Sequence, residues 1–165
     1  MTQLSYCFET RDPATWQQGE LDTCLALLAE GGAVDMHYAT ILLPRARTVA
    51  LARHGAEIVG LAALKALRPS YNETVSRKSG FQLPADSLEM GYVVVSEQHR
   101  GRELASTLVS RLIPISRGRL FATTYAPAMI HILSAQGFEV FGKAWKSRNG
   151  KCVSLLVHSP KVQNQ

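Results

Sequence analysis

The stretch that most constrains this chain runs from Leu88 to Leu112, LEMGYVVVSEQHRGRELASTLVSRL. Met90 to Val95 is short, apolar and β-branched towards its end, the pattern of a strand inside a sheet. Ser96 to Arg102 is polar and carries Gly101, so the chain turns there. From Glu103 onward Leu104, Leu108 and Leu112 recur every four residues, and Ala105 and Val109 widen that stripe into one apolar helix face. A strand that feeds a helix through a basic turn leaves unsatisfied backbone N–H groups at the helix start. Such a terminus attracts anions, and phosphates suit it well.

Glu89-Met-Gly-Tyr-Val-Val-Val95-Ser-Glu-Gln-His-Arg100-Gly-Arg-Glu-Leu-Ala105 resembles the acetyl-CoA-binding motif of GNAT-type N-acetyltransferases, whose loop reads Gln/Arg-x-x-Gly-x-Gly/Ala. Arg100 takes the first position and Ala105 the last, while Glu103 stands in place of the central glycine. The resemblance implies an α/β (α+β) fold, a mixed, mostly antiparallel sheet of roughly six to seven strands flanked by about four helices. It also implies acetyl-CoA as cosubstrate and a primary amine of a small molecule or protein as acceptor, by direct attack on the thioester. Carried over by position, Val93, Val94 and Val95 would lie along the pantetheine arm. Gly101, Arg102, Glu103, Leu104, Ala105 and Ser106 would offer amides to the pyrophosphate, with Arg100 and Arg102 adding positive charge. A strand amide near Val94 would donate to the thioester oxygen.

Glu89, six residues before Val95, occupies the place of a catalytic glutamate in many members and would act as base through a water. Read from residue type alone, it is equally a solvated carboxylate at a strand end. The tyrosine that members often keep four residues before a Gly-Phe pair is Leu133 here, ahead of Gly137-Phe138, and the earlier asparagine is Ala126. Tyr125, His131 and Ser134 are the nearby substitutes for a general acid. Tyr125 leads them because it closes a strand. Glu103 raises a second functional reading. A carboxylate beside the pyrophosphate would be repelled, and a side chain there narrows the approach that glycine allows. The alternative to an N-acetyltransferase is therefore a catalytically degenerate module that binds acyl-CoA or a protein partner.

Along the rest of the chain, Leu4 to Thr10 reads as a first strand and Asp12-Pro13 as a helix start. Leu21, Cys24, Leu25 and Leu28 share a helix face that stops at Gly31-Gly32, with Gly19 delaying or breaking its first half. A short helix is expected through His37 to Leu43, ended by Pro44. Thr48 to Arg53 and Glu57 to Lys65 form a hairpin about His54-Gly55-Ala56. Residues 68 to 87 read as one long polar loop, able to overhang whatever binds at the next strand. Arg119 to Tyr125 is a strand, and Pro127 opens a helix through Met129, Ile130 and Leu133. Phe138 to Trp145 and Lys151 to His158 pair about Asn149-Gly150, both of which tolerate positive φ. Residues 160 to 165 read as a frayed tail, and residues 1 to 165 as a single domain.

Composition removes several function classes. With 18 Lys and Arg against 13 Asp and Glu the chain is mildly basic, but the charge is spread, which argues for a solvated surface over a nucleic-acid interface. No apolar run approaches the ~18 residues of a membrane span. The opening residues lack the pattern of a signal peptide. Cys7, Cys24 and Cys152 have no metal-ligand spacing and read as reduced thiols of a cytoplasmic protein, with no metal. The resemblance implies that acceptor choice would fall to the first helices and two connections, which here hold Tyr38, Tyr71, Arg77, Lys78, Trp145 and Arg148, whose aromatic and basic character suits an acidic or zwitterionic small molecule. The resemblance leaves a homodimer open.

Overall fold

The computed structural model describes residues 5–116 and 118–158; Leu4 of the expected first strand and the expected tail lie outside them. The chain divides into two compact units, one of residues up to Ala66 plus Met90–Ile115, the other of Leu67–Glu89 and the residues from Ser116 onward.

In the first unit β1 (Tyr6–Arg11), β2 (Thr48–His54), β3 (Glu57–Leu64) and most of β4 (Leu88–Val95) form an antiparallel series. A 3-10 turn at Pro13–Thr15, α1 (Glu20–Gly31) and α2 (Met36–Leu42) lie between β1 and β2. Gly19 therefore does split the first helical region, adopting φ 85 as the N-cap of α1. β2 and β3 are buried on both faces, which is why their sequences read as nearly continuous apolar runs. Val49, Leu51, Leu61 and Ala63 join Cys24, Leu27, Leu28 and Leu43 in one core. The alternate residues, Ala50 opposite Ala62 and Ala52 opposite Gly60, are small. They allow α4 (Leu104–Leu112) to approach closely: a Cβ on Gly60 would lie 3.1 Å from Leu108 Cδ1.

The second unit begins with α3 (Pro69–Ser79) and the first two residues of β4. Those two residues, Leu88 and Glu89, pair in parallel with Leu120 and Phe121 of β5 (Leu120–Thr124). α5 (Pro127–Ala135), β6 (Phe138–Lys146) and β7 (Cys152–His158) follow. The strand order is β1-β2-β3-β4-β5-β7-β6, a seven-stranded mixed sheet in which β4–β5 is the parallel pair. Val75, Leu83, Phe121, Leu155 and Val157 form the second core, with Tyr71, Phe81, Phe141 and Trp145 packed against it.

Two expectations are corrected. Residues 68 to 87 are not one loop, because α3 occupies much of the segment and brings the number of α-helices among the described residues to five. Pro69 opens the helix and Gly80, at φ 75, closes it. Its buried face carries Asn72, Ser76 and Ser79 beside Val75, so no apolar periodicity shows in the sequence. Those polar groups are satisfied locally: Asn72 Nδ2 donates to the Ser87 carbonyl at 2.9 Å, and Leu83 N–H donates to Ser76 Oγ at 3.0 Å. In the turn that joins β6 to β7 Gly150 takes positive φ, at 74°; Asn149 does not, because the connection is longer than a two-residue turn.

Candidate functional site

The bulge in β4 comes first. Opposite Leu61 and Ala63 of β3 stand Val94 and Gly91, so β4 carries an extra residue in the Tyr92–Val93 segment. Tyr92 takes φ 53, a left-handed conformation rare for an aromatic residue. Lys65 Nζ lies 4.2 Å from the centre of its ring. Gly91 makes room for that lysine, since a Cβ there would lie 2.8 Å from Lys65 Cε. The bulge re-aims the backbone of Val93 at the segment expected to meet a ligand. Val93 and Val94 are half-buried and Val95 is buried.

Beyond β4 the chain makes a 3-10 turn at Glu97–His99 and reaches α4 through Arg100, Gly101, Arg102 and Glu103. Arg100 Nε donates to the Val95 carbonyl at 3.2 Å, tying the turn to the end of the strand. A second tie runs from β1, where Tyr6 Oη and His99 Nδ1 are 2.7 Å apart. Arg102 lies 5.8 Å from the centre of the Tyr6 ring. Neither Tyr6 nor His99 carried a signal in the sequence, because the contact spans most of the unit. Arg100, Gly101, Arg102 and Glu103 are exposed, Leu104 is buried, and Ala105 and Ser106 are half-buried.

Glu103 is the N-cap of α4, with φ 61 and ψ 22. This left-handed conformation is the one glycine adopts at no steric cost, and a non-glycine residue holds it at about 1 kcal/mol. Its side chain makes no capping hydrogen bond. Its carbonyl instead accepts from Thr107 N at 3.1 Å and Thr107 Oγ1 at 3.0 Å. The first-turn amides of α4, Leu104 and Ala105 among them, have no carbonyl one turn back within the helix. A helix start of this kind attracts anions in general.

Glu89 and Tyr125 belong to the second unit. Glu89 is buried, which removes the reading of a solvated strand-end carboxylate. It sits in register with Phe121. Tyr71 of α3 approaches the same strand: its hydroxyl is 3.2 Å from Thr123 Oγ1, and its ring stacks 6.4 Å from that of Phe121. The Tyr71 phenol is pushed well above the usual tyrosine value, first by burial and then by the charge of Glu89. Tyr125 follows β5 and is 39 % exposed, with Lys151 Nζ 5.4 Å from its ring centre. It lies four residues beyond Phe121, roughly 13 Å along an extended strand. Leu133 is buried in the fold, while His131 and Ser134 are exposed. Of the expected acceptor residues, Tyr71 and Trp145 pack against the second core, whereas Tyr38, Arg77, Lys78 and Arg148 are exposed. Among the described residues no cluster of three or more His, Cys, Asp or Glu side chains is placed to hold a metal ion.

A model of the acetyltransferase (GNAT) family matches residues 8–138. No curated protein matches the chain. Among solved structures, one of the NatC complex bound to Gag peptide and CoA aligns with a TM-score of 0.71 at 12% identity, covering 94% of this chain and 99% of that one. A GNAT family acetyltransferase from Elizabethkingia anophelis with acetyl-CoA bound aligns at 0.62 and 14% identity, covering 94% and 98%. Ribosomal-protein-alanine N-acetyltransferase from Brucella melitensis aligns at 0.64 and 21%, covering 93% and 99%. These likenesses show the fold. With the family match spanning most of the sequence, the chain belongs to the GNAT acetyltransferase family.

Proposed function

We propose that this chain is an acetyl-CoA-dependent N-acetyltransferase acting as a single domain on a primary amine. The observation that carries the reading is Glu103, held in a glycine-like conformation at the start of α4, so that the missing motif glycine leaves the loop backbone in place. In this reading the amides from Gly101 to Ser106 bind the pyrophosphate, with Arg100 and Arg102 beside them. The exposed Glu103 carboxylate turns to solvent. The bulged backbone of Val93 to Val95 lies along pantetheine, and a strand amide there donates to the thioester oxygen as negative charge develops on it.

The amine nitrogen attacks the thioester carbon, and Glu89, through a water, takes the proton that nitrogen sheds. The C–S bond then breaks, and Tyr125 gives its proton to the departing thiolate. The two residues serve separate proton transfers and have no need to touch. The acceptor is an amine of a small molecule or a peptide; the NatC structure, which holds a peptide with CoA, supports the second class. The exposed Arg77, Lys78 and Arg148 favour an acceptor that also carries a carboxylate or phosphate. A cytoplasmic location and a homodimer complete the reading. No helix among the described residues is long and apolar enough to cross a membrane.

Leu133, buried where many members keep an acidic hydroxyl, favours the second reading of a domain that binds acyl-CoA without turnover. Calorimetric titration of acetyl-CoA, followed by thiol release with a panel of amino acids, polyamines and short peptides, separates the two. Micromolar binding with amine-dependent thiol release is the expected result. Binding without release from any amine would favour the degenerate module, and no binding would remove both readings that involve acetyl-CoA.

A further inference from the structure

The parallel register of β4 and β5 sets Glu89 beside Phe121. Side chains alternate along a strand, so Phe121 and Thr123 share one face of the sheet, and Glu89 shares it with its register partner. α3 covers that face. Its Tyr71 ring lies 6.4 Å from Phe121, inclined by 28°, and its hydroxyl is 3.2 Å from Thr123 Oγ1. Arg68, just before the helix, places its guanidinium 4.7 Å from the centre of the Tyr71 ring. Tyr71 is thereby held at its ring and at its tip. A buried carboxylate needs hydrogen-bond donors, and Glu89 acts on the Tyr71 phenol through both its charge and a side-chain hydrogen bond.

We infer that Tyr71 is a positioning residue for Glu89, donating its phenolic proton to the carboxylate while Thr123 donates in turn to the phenolic oxygen. The inference rests on the reading of Glu89 as the base. The order of the hydrogen bonds follows from the proton count. A phenol has one proton to give, and the two neighbours act on it oppositely. The Glu89 carboxylate makes that proton harder to lose and Thr123 makes it easier. Those are the effects of an acceptor and a donor respectively. Arg68 is the further charged group acting on the phenol. The relay fixes the rotamer of the carboxylate that is to receive the proton.

The test is steady-state thiol release by the full chain, native and Tyr71→Phe, with Thr123→Val as a milder break in the outer link and urea denaturation of each variant alongside. Tyr71→Phe keeps the ring on Phe121 and removes only the hydroxyl. The expected result is a kcat about tenfold lower in Tyr71→Phe with the best amine of the panel, a smaller fall in Thr123→Val, and an unchanged KM for acetyl-CoA. A purely packing role would lower the urea midpoint and leave kcat at the native value. An unchanged kcat in Tyr71→Phe, with Glu89→Gln inactive, overturns the positioning role alone. Full turnover by Glu89→Gln removes the base assignment itself, and the inference with it.

Discussion

At the scale of single residues, Glu103 shows how a motif departs in sequence without departing in shape. The motif position requires a backbone that glycine adopts freely, and Glu103 adopts it at φ 61. That strain is stored in the folded chain, so Glu103→Gly should raise stability, by up to about 0.5 kcal/mol after the added freedom of the unfolded glycine is subtracted. Urea denaturation measures the gain. Removal of a carboxylate beside the pyrophosphate should also tighten acetyl-CoA binding in calorimetry. A destabilised variant would mean that the Glu103 side chain supplies more than the strain removes. Glu89 was legible as a candidate from its place in the motif, but its burial and its neighbour Tyr71 were not. Both depend on a register partner in β5 and on a helix that the sequence hides.

Among the elements, α4 and α3 make opposite cases. α4 was legible because its buried face is apolar at helical spacing: Leu104, Leu108, Val109 and Leu112 are all buried. Leu108 is fully buried against the small residues of β2 and β3, which leaves little room for collapse. Leu108→Ala should therefore cost about 2–5 kcal/mol, read as a fall in the urea midpoint. A change below 1 kcal/mol would show that the helix does not seat there in solution. α3 was not legible, because three of its four buried residues are Asn and Ser held by hydrogen bonds. Periodicity of apolar residues cannot report a helix whose buried face is polar.

For the whole molecule, stability should peak near neutral pH. Glu20 holds Arg11 at 2.7 Å, accepts from Gln17 N–H and also pairs with Arg53. The Arg11 hydrogen bond, opposed by burial and helped by Gln17 and Arg53, brings its carboxyl from 4.5 down to about 2. A depressed carboxylate contributes fully above its unfolded value and loses that contribution as the pH falls from about 4.5 to about 2. His158 acts in the same direction. Burial lowers its value below 6.5, so the folded state resists the proton that the unfolded chain accepts. At the alkaline end burial pushes the Cys24 thiol from 9.0 up to about 12. The unfolded thiol ionises first, and stability falls as the pH rises above about 9. Thermal melts across pH should thus form a dome with its acid shoulder reduced in Glu20→Gln. An unchanged shoulder would mean that other carboxylates control acid unfolding.

The sequence by itself determined what depends on residues a few positions apart. The Met90–Val95 strand, the Gly101 turn, the leucine face of α4, the Gly55 hairpin and the Gly19 break all lie within one local pattern, and so does the motif that marks the family. Tertiary structure decided what depends on residues brought together from far along the chain. The helix of α3, the bulge that gives Tyr92 a positive φ, the Tyr6–His99 tie and the Tyr71–Thr123 contact are of that kind. The physical reason is the source of the stabilisation. Propensity and apolar spacing act along one segment, whereas a buried polar group is stable only where the fold supplies its partner, and no local pattern names that partner.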